Sequence, residues 1–308
     1  TTGSGHGGEA PHTYSLSGFS VRSAIALPEL RPVPPLAADA SPDLDIRLGP
    51  VPERLEAADC ATAWYETRGS DTLLLRIPEI GSFLVTADGT AIIDPDPSAA
   101  EADIRAIVFG SVFGAFLLMR RLFPLHASAI RFGEGIVAFT GLSGAGKSTL
   151  AAFLAEAGQL AFADDVCVID TADGPPLVRS SISRLKLWSA SMDALGKPKL
   201  EANRDTFRWE KYHLRLAPVT GTLPLRAILL LETHEGDDPV LEPVGGAGAL
   251  TAVSQNVFRP EFVRDLRLGE PIFRMAGAIA RTVPVYRLLR RWDLDDMDRC
   301  VALVRERW

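Results

Sequence analysis

The chain has 308 residues and a formal net charge of −7, with 47% hydrophobic and 23% charged residues. This composition is typical of a soluble protein with a full core, and the acidic balance excludes the overall basic field that would recruit nucleic acid. Three widely spaced cysteines, Cys60, Cys167 and Cys300, indicate neither a disulfide framework nor a zinc site, and they favour a reducing cytoplasm.

The first hundred residues divide into a leader and a β-rich module. Residues 1–12, beginning "TTGSGHGGEA", are polar and glycine-rich, which predicts a flexible leader without the apolar segment of a signal peptide. Residues 13–100 contain short runs such as "DTLLLRIPEI" and "GSFLVTADG", and several of them alternate apolar with polar residues. Alternation of this kind predicts a half-buried antiparallel sheet. We therefore expect an N-terminal β-rich module over residues 13–100 and a larger domain over residues 101–308.

A helix is expected next. Ser98 followed by Glu101 matches a capping box, in which the serine caps the start of a helix. The longest apolar run of the chain follows, from Ala106 to Met119. The run is shorter than the roughly 20 residues that cross a bilayer. The sequence therefore predicts a buried helix and no membrane partner.

Two strands, "LHASAIRF" and "GIVAFTG", follow the helix, and the first contains His126 among apolar residues. Such a histidine is either a hydrogen-bonded core residue or an imidazole that orients a nearby carboxylate.

The second strand leads into "GLSGAGKST", which has the spacing of a phosphate-binding loop. In this pattern the backbone N–H groups and the N-terminus of the following helix surround the β-phosphate. The lysine spreads positive charge over the β- and γ-phosphates, and the serine ligates Mg²⁺. The alternative is a glycine-rich turn without a ligand. We expect ATP, or another nucleoside triphosphate, to be bound by Gly141, Leu142, Ser143, Gly144, Ala145, Gly146, Lys147, Ser148 and Thr149.

A pair of acids, Asp164 and Asp165, follows Lys147 by 17 and 18 residues, at the start of the strand predicted in "QLAFADDVCVID". The helix predicted over residues 147–157 leads away from the loop, and the chain that returns from it can bring both carboxylates back to the phosphates. One carboxylate would hold Mg²⁺ together with Ser148, and the other would accept a proton from an incoming hydroxyl. The metal ligands are thus expected among Ser148, Asp164 and Asp165. The alternative is a solvated turn.

Further strands are predicted in "PPLVRS", "SRLKLW" and residues 225–232, with helices over 246–255, 260–280 and 294–307 and a strand over 283–289. The intervening segment 197–215 is basic and contains aromatic residues, within an acidic protein. We expect a mobile loop in which Arg208 and Lys211 contact phosphate or a second substrate. Nucleic-acid binding and a solvated surface loop are the alternatives, and without a second basic patch we expect no nucleic-acid partner.

Residues 124–170 resemble the catalytic core of HPr kinase/phosphorylase, a bacterial serine kinase whose fold is related to phosphoenolpyruvate carboxykinase. That family has a histidine 21 residues before the lysine of the loop and an aspartate 18 residues after it, as His126 and Asp165 are here. The resemblance implies an α/β P-loop kinase core in residues 101–308. It also implies that Asp165 is the acid/base for a seryl hydroxyl, assisted by His126. The family's metal-binding glutamate has no counterpart between Glu156 and Glu201, because no glutamate occurs there.

The segments "YSLSGFSVRS", "LKLW" and "EKYHL" are similar to those of shorter HPr-kinase-like proteins encoded beside bacterial peptide natural-product genes. In lasso-peptide clusters such proteins phosphorylate the C-terminal serine of the precursor peptide. The resemblance implies a cytoplasmic, ATP- and Mg²⁺-dependent serine kinase with a peptide or small-protein partner. The alternatives are a kinase for an HPr-like protein or for a small hydroxylated metabolite such as free serine, and a non-catalytic nucleotide-binding sensor. A homo-oligomer is left open.

Overall fold

The computed structural model describes residues 11–37, 39–181, 184–205 and 210–308. Within these ranges the chain forms a mixed α/β protein with two nine-stranded sheets and one two-stranded sheet. Residues 1–10 of the expected leader and the expected substrate residue Arg208 lie outside the described residues.

The first large sheet is built entirely by the N-terminal part of the chain. Its strand order is β3-β1-β2-β4-β9-β8-β7-β6-β5, with β4 parallel to β2 and β9 and the remaining pairs antiparallel. The strands are His12–Leu16 (β1), Phe19–Ser23 (β2), Arg31–Pro32 (β3), Leu44–Leu48 (β4), Cys60–Ala61 (β5), Tyr65–Arg68 (β6), Thr72–Ile77 (β7), Gly81–Thr86 (β8) and Thr90–Pro95 (β9).

The alternating pattern of the sequence is visible in this sheet. In β8 the side chains of Phe83 and Val85 are buried, whereas those of Ser82 and Leu84, which alternate with them, are partly exposed. The short strand β3 lies at an edge, where a proline costs no ladder hydrogen bond. The N-terminal part of the chain thus forms one sheet, which differs from the expected antiparallel sheet at β4, the strand that is parallel to both of its neighbours.

A long apolar helix connects the two large sheets. It consists of Glu101–Ile107 (α1), a π-helical turn at Val108–Val112, and Phe113–Met119 (α2). The whole stretch has the length and hydropathy of a membrane span, but 67% of its most apolar window is buried inside the protein. Such burial is typical of a core helix, and the prediction of a buried helix is confirmed.

The expected capping box at the start of this helix is wrong. The Ser98 hydroxyl donates to the carboxylate of Asp96 over 2.6 Å, and no side chain caps the helix at Ala100. The carboxylate two residues before Ser98 competes successfully for the hydroxyl, so the helix begins at Glu101 without a side-chain cap.

The second large sheet has the order β10-β14-β15-β18-β12-β11-β13, and β20 joins it at β18, with β19 outside β20. The central strands β12, β18 and β20 are parallel to one another. Its strands are Phe123–Leu125 (β10), Ala127–Phe132 (β11), Gly135–Thr140 (β12), Leu160–Ala163 (β13), Cys167–Asp170 (β14), Leu177–Arg179 (β15), Thr222–Thr233 (β18), Val240–Val244 (β19) and Val285–Arg290 (β20). Arg184–Trp188 (β16) and Lys211–Arg215 (β17) form a separate antiparallel pair.

The second sheet separates two apolar clusters. Along β12, Ile136 and Ala138 belong to a cluster shared with the N-terminal sheet and the apolar helix, while Val137 and Phe139 belong to the other. The helices are Lys147–Glu156 (α3), Ser189–Ala194 (α4), Gly246–Ser254 (α5), Pro260–Asp265 (α6), Gly269–Thr282 (α7) and Met297–Arg307 (α8). The sheet thus has a covered face on each side, and its central strands end at the candidate site.

Three expected elements differ from the structure. The helix expected over residues 260–280 is two helices, α6 and α7, interrupted where Arg267 has a φ of 56°. The strand expected in "QLAFADDVCVID" is likewise two strands, β13 and β14, with a break at Asp165, whose φ is 66°. A left-handed backbone cannot continue either element. The basic segment 197–215, expected as a loop, contains β17.

Candidate active site

The glycine-rich loop joins the end of β12 to the start of α3. Gly141 and Gly146 have φ values of 135° and 85°, which L side chains rarely adopt. A Cβ on Gly141 would lie 2.9 Å from the carbonyl oxygen of Leu231, and a Cβ on Gly146 would lie 2.4 Å from the Arg290 guanidinium. The loop therefore needs glycine at both positions in order to turn sharply beside its neighbours. Leu142, at its tip, is 84% exposed.

Lys147 is the first residue of α3, and only 7% of its surface is exposed. Its Nζ donates to the carbonyl oxygens of Gly141 and Leu142 over 2.9 and 3.1 Å. Desolvation lowers the pKa of Lys147, while the charges of Asp165 and Asp164 oppose that shift. The ammonium group thus lies inside the loop, held by neutral acceptors that an anion can replace.

Asp164 accepts a hydrogen bond from Ser148, the residue that follows Lys147. Its Oδ1 accepts hydrogen bonds from the hydroxyls of Ser148 (2.8 Å) and Ser128 (2.6 Å), and its Oδ2 accepts the backbone N–H of Lys186 (2.8 Å). Desolvation raises the pKa of Asp164 even though these hydrogen bonds favour the ionised form. A further positive charge at this position would stabilise the carboxylate.

The oxygen atoms around Asp164 fit a magnesium ion. Mg²⁺ prefers hydroxyl, carboxylate, water and phosphate oxygens, and it often takes only one or two ligands from the protein. The Ser148 hydroxyl donates its hydrogen to Asp164, which leaves its lone pairs for a metal ion. Among the described residues no group of three or more histidine, cysteine or acidic side chains is arranged to hold a metal. Ser148 and Asp164 would therefore need ligand oxygens from a phosphate substrate.

Asp165 differs from its neighbour in exposure and in charge. Its side chain is 52% exposed, and the Nδ1 of His126 lies 3.3 Å from its Oδ1 and 3.0 Å from its carbonyl oxygen. Desolvation favours the neutral acid, but the hydrogen bond and charge of His126, with the charges of Lys186 and Arg259, lower the pKa of Asp165 overall. Asp165 is consequently an ionised carboxylate that solvent or a substrate can reach.

The backbone of His126 makes hydrogen bonds through both its N–H and its carbonyl oxygen. Its N–H donates to the carbonyl of Asn256 over 2.8 Å, and its own carbonyl accepts the hydroxyl of Thr140 over 2.9 Å. The left-handed backbone of Asp165 turns the carboxylate and the carbonyl of that residue toward the same ring nitrogen. Strained backbone of this kind occurs often at functional sites.

A cavity of about 450 Å³ opens over the two aspartates, between the N-terminal sheet, α1 and the β16–β17 pair. Arg105 and Arg184 lie across it and share the carboxylate of Glu29, at 3.0 and 3.5 Å. The charged lining consists of Arg31, Arg105, Arg184, Lys186, Arg204 and Arg215 against Glu29, Asp164, Asp165 and Asp205. The basic side chains outnumber the acidic ones, so the cavity suits an anionic ligand.

The structure brings together most of the residues that the sequence singled out. His126, Lys147, Ser148, Asp164 and Asp165 form one contiguous group through the contacts above. Lys211, in β17, lies outside that group, with its Nζ 4.7 Å from the ring centre of Trp188. Its charge is among the influences that lower the pKa of Lys147, so Lys211 is within electrostatic reach of the loop.

Two residues of the site were missed by sequence reasoning. Ser128 lies two residues after His126, so the period of a strand places both side chains on one face. Arg290 is the last residue of β20. Ligands commonly bind at the carboxyl ends of parallel strands, and this general rule could have identified Arg290 from the sequence. Arg290 donates from Nη2 to the Ala145 carbonyl over 2.8 Å.

The comparisons with known proteins add little to this geometry. No protein-family model matches the chain, and no curated protein matches it. Among solved structures, the HPr(Ser) kinase/phosphatase from Coxiella burnetii is similar, with a TM-score of 0.33 and 14% sequence identity. The match covers 60% of this chain and 89% of that one. The likeness is distant.

Proposed function

We propose that the protein is a kinase that transfers the γ-phosphoryl group of ATP, in the presence of Mg²⁺, to a serine hydroxyl. One observation carries the proposal: two adjacent carboxylates have different environments. Asp164 is engaged by Ser148, at the start of α3, whereas Asp165 is exposed and held ionised by His126. A site that only bound a nucleotide would not need a second, accessible carboxylate beside the first.

The loop residues account for binding. The backbone N–H groups at the start of α3 point toward the loop, where phosphate oxygens would be the acceptors. Lys147 would exchange the carbonyls of Gly141 and Leu142 for those oxygens, because a charged acceptor makes the stronger hydrogen bond. Mg²⁺, held by Ser148 and Asp164, would offset the negative charge of the phosphates.

Asp165 accounts for transfer. In the proposed step the hydroxyl oxygen forms a bond to the γ-phosphorus as the bond from that phosphorus to the β-γ bridging oxygen breaks. The hydroxyl proton passes to a carboxylate oxygen of Asp165, and the leaving group departs as the nucleoside diphosphate. Because His126 lowers its pKa, Asp165 is ionised at neutral pH and ready to accept that proton.

The acceptor would enter through the cavity over the aspartates. The excess of basic side chains there favours a hydroxyl compound that also carries a negative charge, such as a carboxylate. The C-terminal serine of a lasso-peptide precursor and free serine both have these two groups, and an acidic surface on an HPr-like protein would also suit the charge. The lasso-peptide precursor remains a prediction from the sequence resemblance.

A nucleotide-binding sensor is the second candidate. The loop and Lys147 serve a sensor as well as a kinase, whereas the exposed carboxylate and its histidine have a purpose only in transfer. An assay of ATP consumption with and without a panel of acceptors distinguishes the two, because a sensor consumes no ATP with any of them. The panel consists of serine-ending precursor peptides, their serine-to-alanine counterparts, an HPr-like protein and free serine.

The decisive variant is Asp165→Asn, which keeps the shape of the side chain and removes the proton acceptor. We expect phosphoryl transfer to fall about a hundred- to ten-thousandfold, while Mg²⁺-ATP affinity measured by calorimetry stays close to that of the wild type. Asp164→Asn is the matched comparison, and its main effect should be a higher Mg²⁺ requirement. Transfer at the wild-type rate in Asp165→Asn would contradict the assignment of the base.

A further inference from the structure

A second cavity, of about 690 Å³, opens on the loop beside Gly144, Gly146 and Thr149. Neither Asp164 nor Asp165 lines it, so it is distinct from the cavity over the aspartates. Its volume is within the range of small-molecule sites, roughly 300–1,000 Å³. A ligand whose phosphates lay in the loop would therefore have room here for a further, larger group.

Two tryptophans line this second cavity, Trp188 at the end of β16 and Trp292 just after β20. Trp292 is 63% exposed and Trp188 is 38% exposed. The edge of Trp292 lies 4.0 Å from the position of a Cβ on Gly146, so this ring is in contact range of the loop itself. Exposed aromatic rings beside a phosphate-binding loop offer planar surfaces on which a base can stack.

Arg290 supplies a charge between Trp292 and the loop. It is only 3% exposed, and its guanidinium lies 5.4 Å from the ring centre of Trp292. Its Nη1 and Nη2 donate to the carbonyls of Arg291 and Ala145, and its buried Nε has no hydrogen-bond partner among the described residues. A buried cation that is held by carbonyls and lacks an acidic partner in these contacts is costly unless an anion binds.

We propose that this cavity binds the nucleoside part of the nucleotide, with the base stacked on Trp292, Trp188 as the second aromatic surface, and Arg290 near the phosphate next to the ribose. The inference rests on the proposed function, since it takes the loop to hold the phosphates. The protein should therefore bind ATP more tightly than it binds the phosphates alone, and the aromatic rings should supply the difference in affinity.

The test compares ATP with inorganic tripolyphosphate, which has the phosphates without the nucleoside, both in the presence of Mg²⁺. Calorimetry on the full chain should show that the wild type binds ATP more tightly than tripolyphosphate. Trp292→Ala should weaken ATP binding about ten- to a hundredfold, as expected for the loss of one stacked base, and change tripolyphosphate binding less than twofold. Trp292→Phe, which keeps an aromatic surface, should restore most of the ATP affinity.

Trp64→Ala is the matched control, because Trp64 is 56% exposed and lies in the N-terminal sheet region, away from this cavity. It should leave both affinities unchanged. Trp188→Ala is the second variant and should weaken ATP binding selectively as well. Circular dichroism identifies any variant that fails to fold, and the other tryptophan variant then decides the result.

The failures of the two proposals give different results. A wild-type protein that binds neither ligand contradicts the proposed function and this inference together. A wild type that binds both ligands equally, or tryptophan variants that keep the wild-type affinity for ATP, contradict this inference alone. A tryptophan variant whose affinities for ATP and for tripolyphosphate fall by the same factor also contradicts this inference, because the substitution would then have disturbed the phosphate-binding loop.

Discussion

His126 presents Nδ1 to two oxygen atoms of Asp165, the carbonyl at 3.0 Å and the carboxylate Oδ1 at 3.3 Å. Both oxygens are acceptors, so Nδ1 carries the hydrogen that they share. In the proposed reaction His126 is a positioning residue, which holds the base and helps to lower the pKa of Asp165.

This geometry distinguishes two substitutions of His126. The amide nitrogen of asparagine can replace Nδ1, whereas that of glutamine lies nearer the position of Nε2. We expect His126→Gln to lower kcat/KM about ten- to a hundredfold, the usual effect of losing such a partner, and His126→Asn to retain more activity. Equal losses in both variants would show that the Nδ1 hydrogen bond is unimportant.

A pH profile adds a readout that a purely structural role would not change. Because His126 lowers the pKa of Asp165, its removal should raise that pKa. Asp165 is then protonated at a higher pH, so the acid limb of kcat/KM should move to higher pH, and it should move further in His126→Gln than in His126→Asn, which can keep the hydrogen bond. An unmoved acid limb would contradict the role given to His126.

At this scale the sequence predicted the residues that are close along the chain. His126, Lys147, Ser148, Asp164 and Asp165 lie within 40 residues, and strand, loop and helix geometry alone brings them near one another. Arg290 follows Lys147 by 143 residues. Its position depends on β18 pairing with both β12 and β20, which no local pattern specifies.

At the scale of elements, the β16–β17 pair is held against the site by buried charges. The carboxylate of Asp205 is 3% exposed and lies 2.5 Å from Lys186 Nζ and 3.2 Å from His213 Nε2. Desolvation opposes ionisation, but these two partners lower the pKa of Asp205 well below its usual range. Lys186 also donates its backbone N–H to Asp164, so this strand pair connects the ion pair to the proposed metal ligand.

Asp205→Asn should therefore destabilise the protein by about 1–3 kcal/mol at neutral pH. A lowered pKa in the folded state means that the stability from Asp205 is fully present above the unfolded pKa, about 3.9, and is lost as pH falls toward the folded pKa. The difference between wild type and variant in urea unfolding should thus shrink below about pH 4.

Asp238→Asn serves as the control, because Asp238 is 83% exposed and pairs with Arg299 at the surface. Exposed pairs contribute about 0–1 kcal/mol, so this variant should change stability little. If the difference in the free energy of unfolding between wild type and Asp205→Asn did not change with pH, the ion pairs of Asp205 would not be its source.

The elements differ from expectation mainly where the backbone is left-handed. Asp165 and Arg267 adopt positive φ and divide the expected strand and the expected helix in two. Neither residue type demands such a conformation, so composition and periodicity give no signal. At Asp165 the break follows from tertiary contacts, since His126 engages both its carbonyl and its carboxylate.

At the scale of the whole molecule, the N-terminal sheet and the second sheet share one apolar core. The ring of Phe19 packs edge-on against Phe116 at 5.1 Å, and the hydroxyl of Tyr65 donates to Asp265 over 2.5 Å. The N-terminal part also contributes residues to the cavity over the aspartates. The first hundred residues and the rest of the chain therefore share a continuous core.

A fragment of residues 97–308 should not fold by itself, because α1 and α2 would expose the face that the N-terminal sheet covers. We expect it to elute as aggregates, to bind a hydrophobic dye, and to unfold without a cooperative transition, whereas the full chain unfolds sharply. A monomeric fragment with a sharp transition would contradict the shared-core account.

The apolar helix at Glu101–Met119 has a consequence for synthesis on the ribosome. Its Phe116 face packs on the N-terminal sheet, which is already made when the helix emerges, but Gly114 packs against Phe258, which follows Met119 by 139 residues. At about 5–20 residues per second, that interval lasts about 10–30 s. During it the nascent chain displays a segment that the membrane-insertion machinery could take for a span. Early docking of Phe116 onto the N-terminal sheet would cover one face of that segment during the interval.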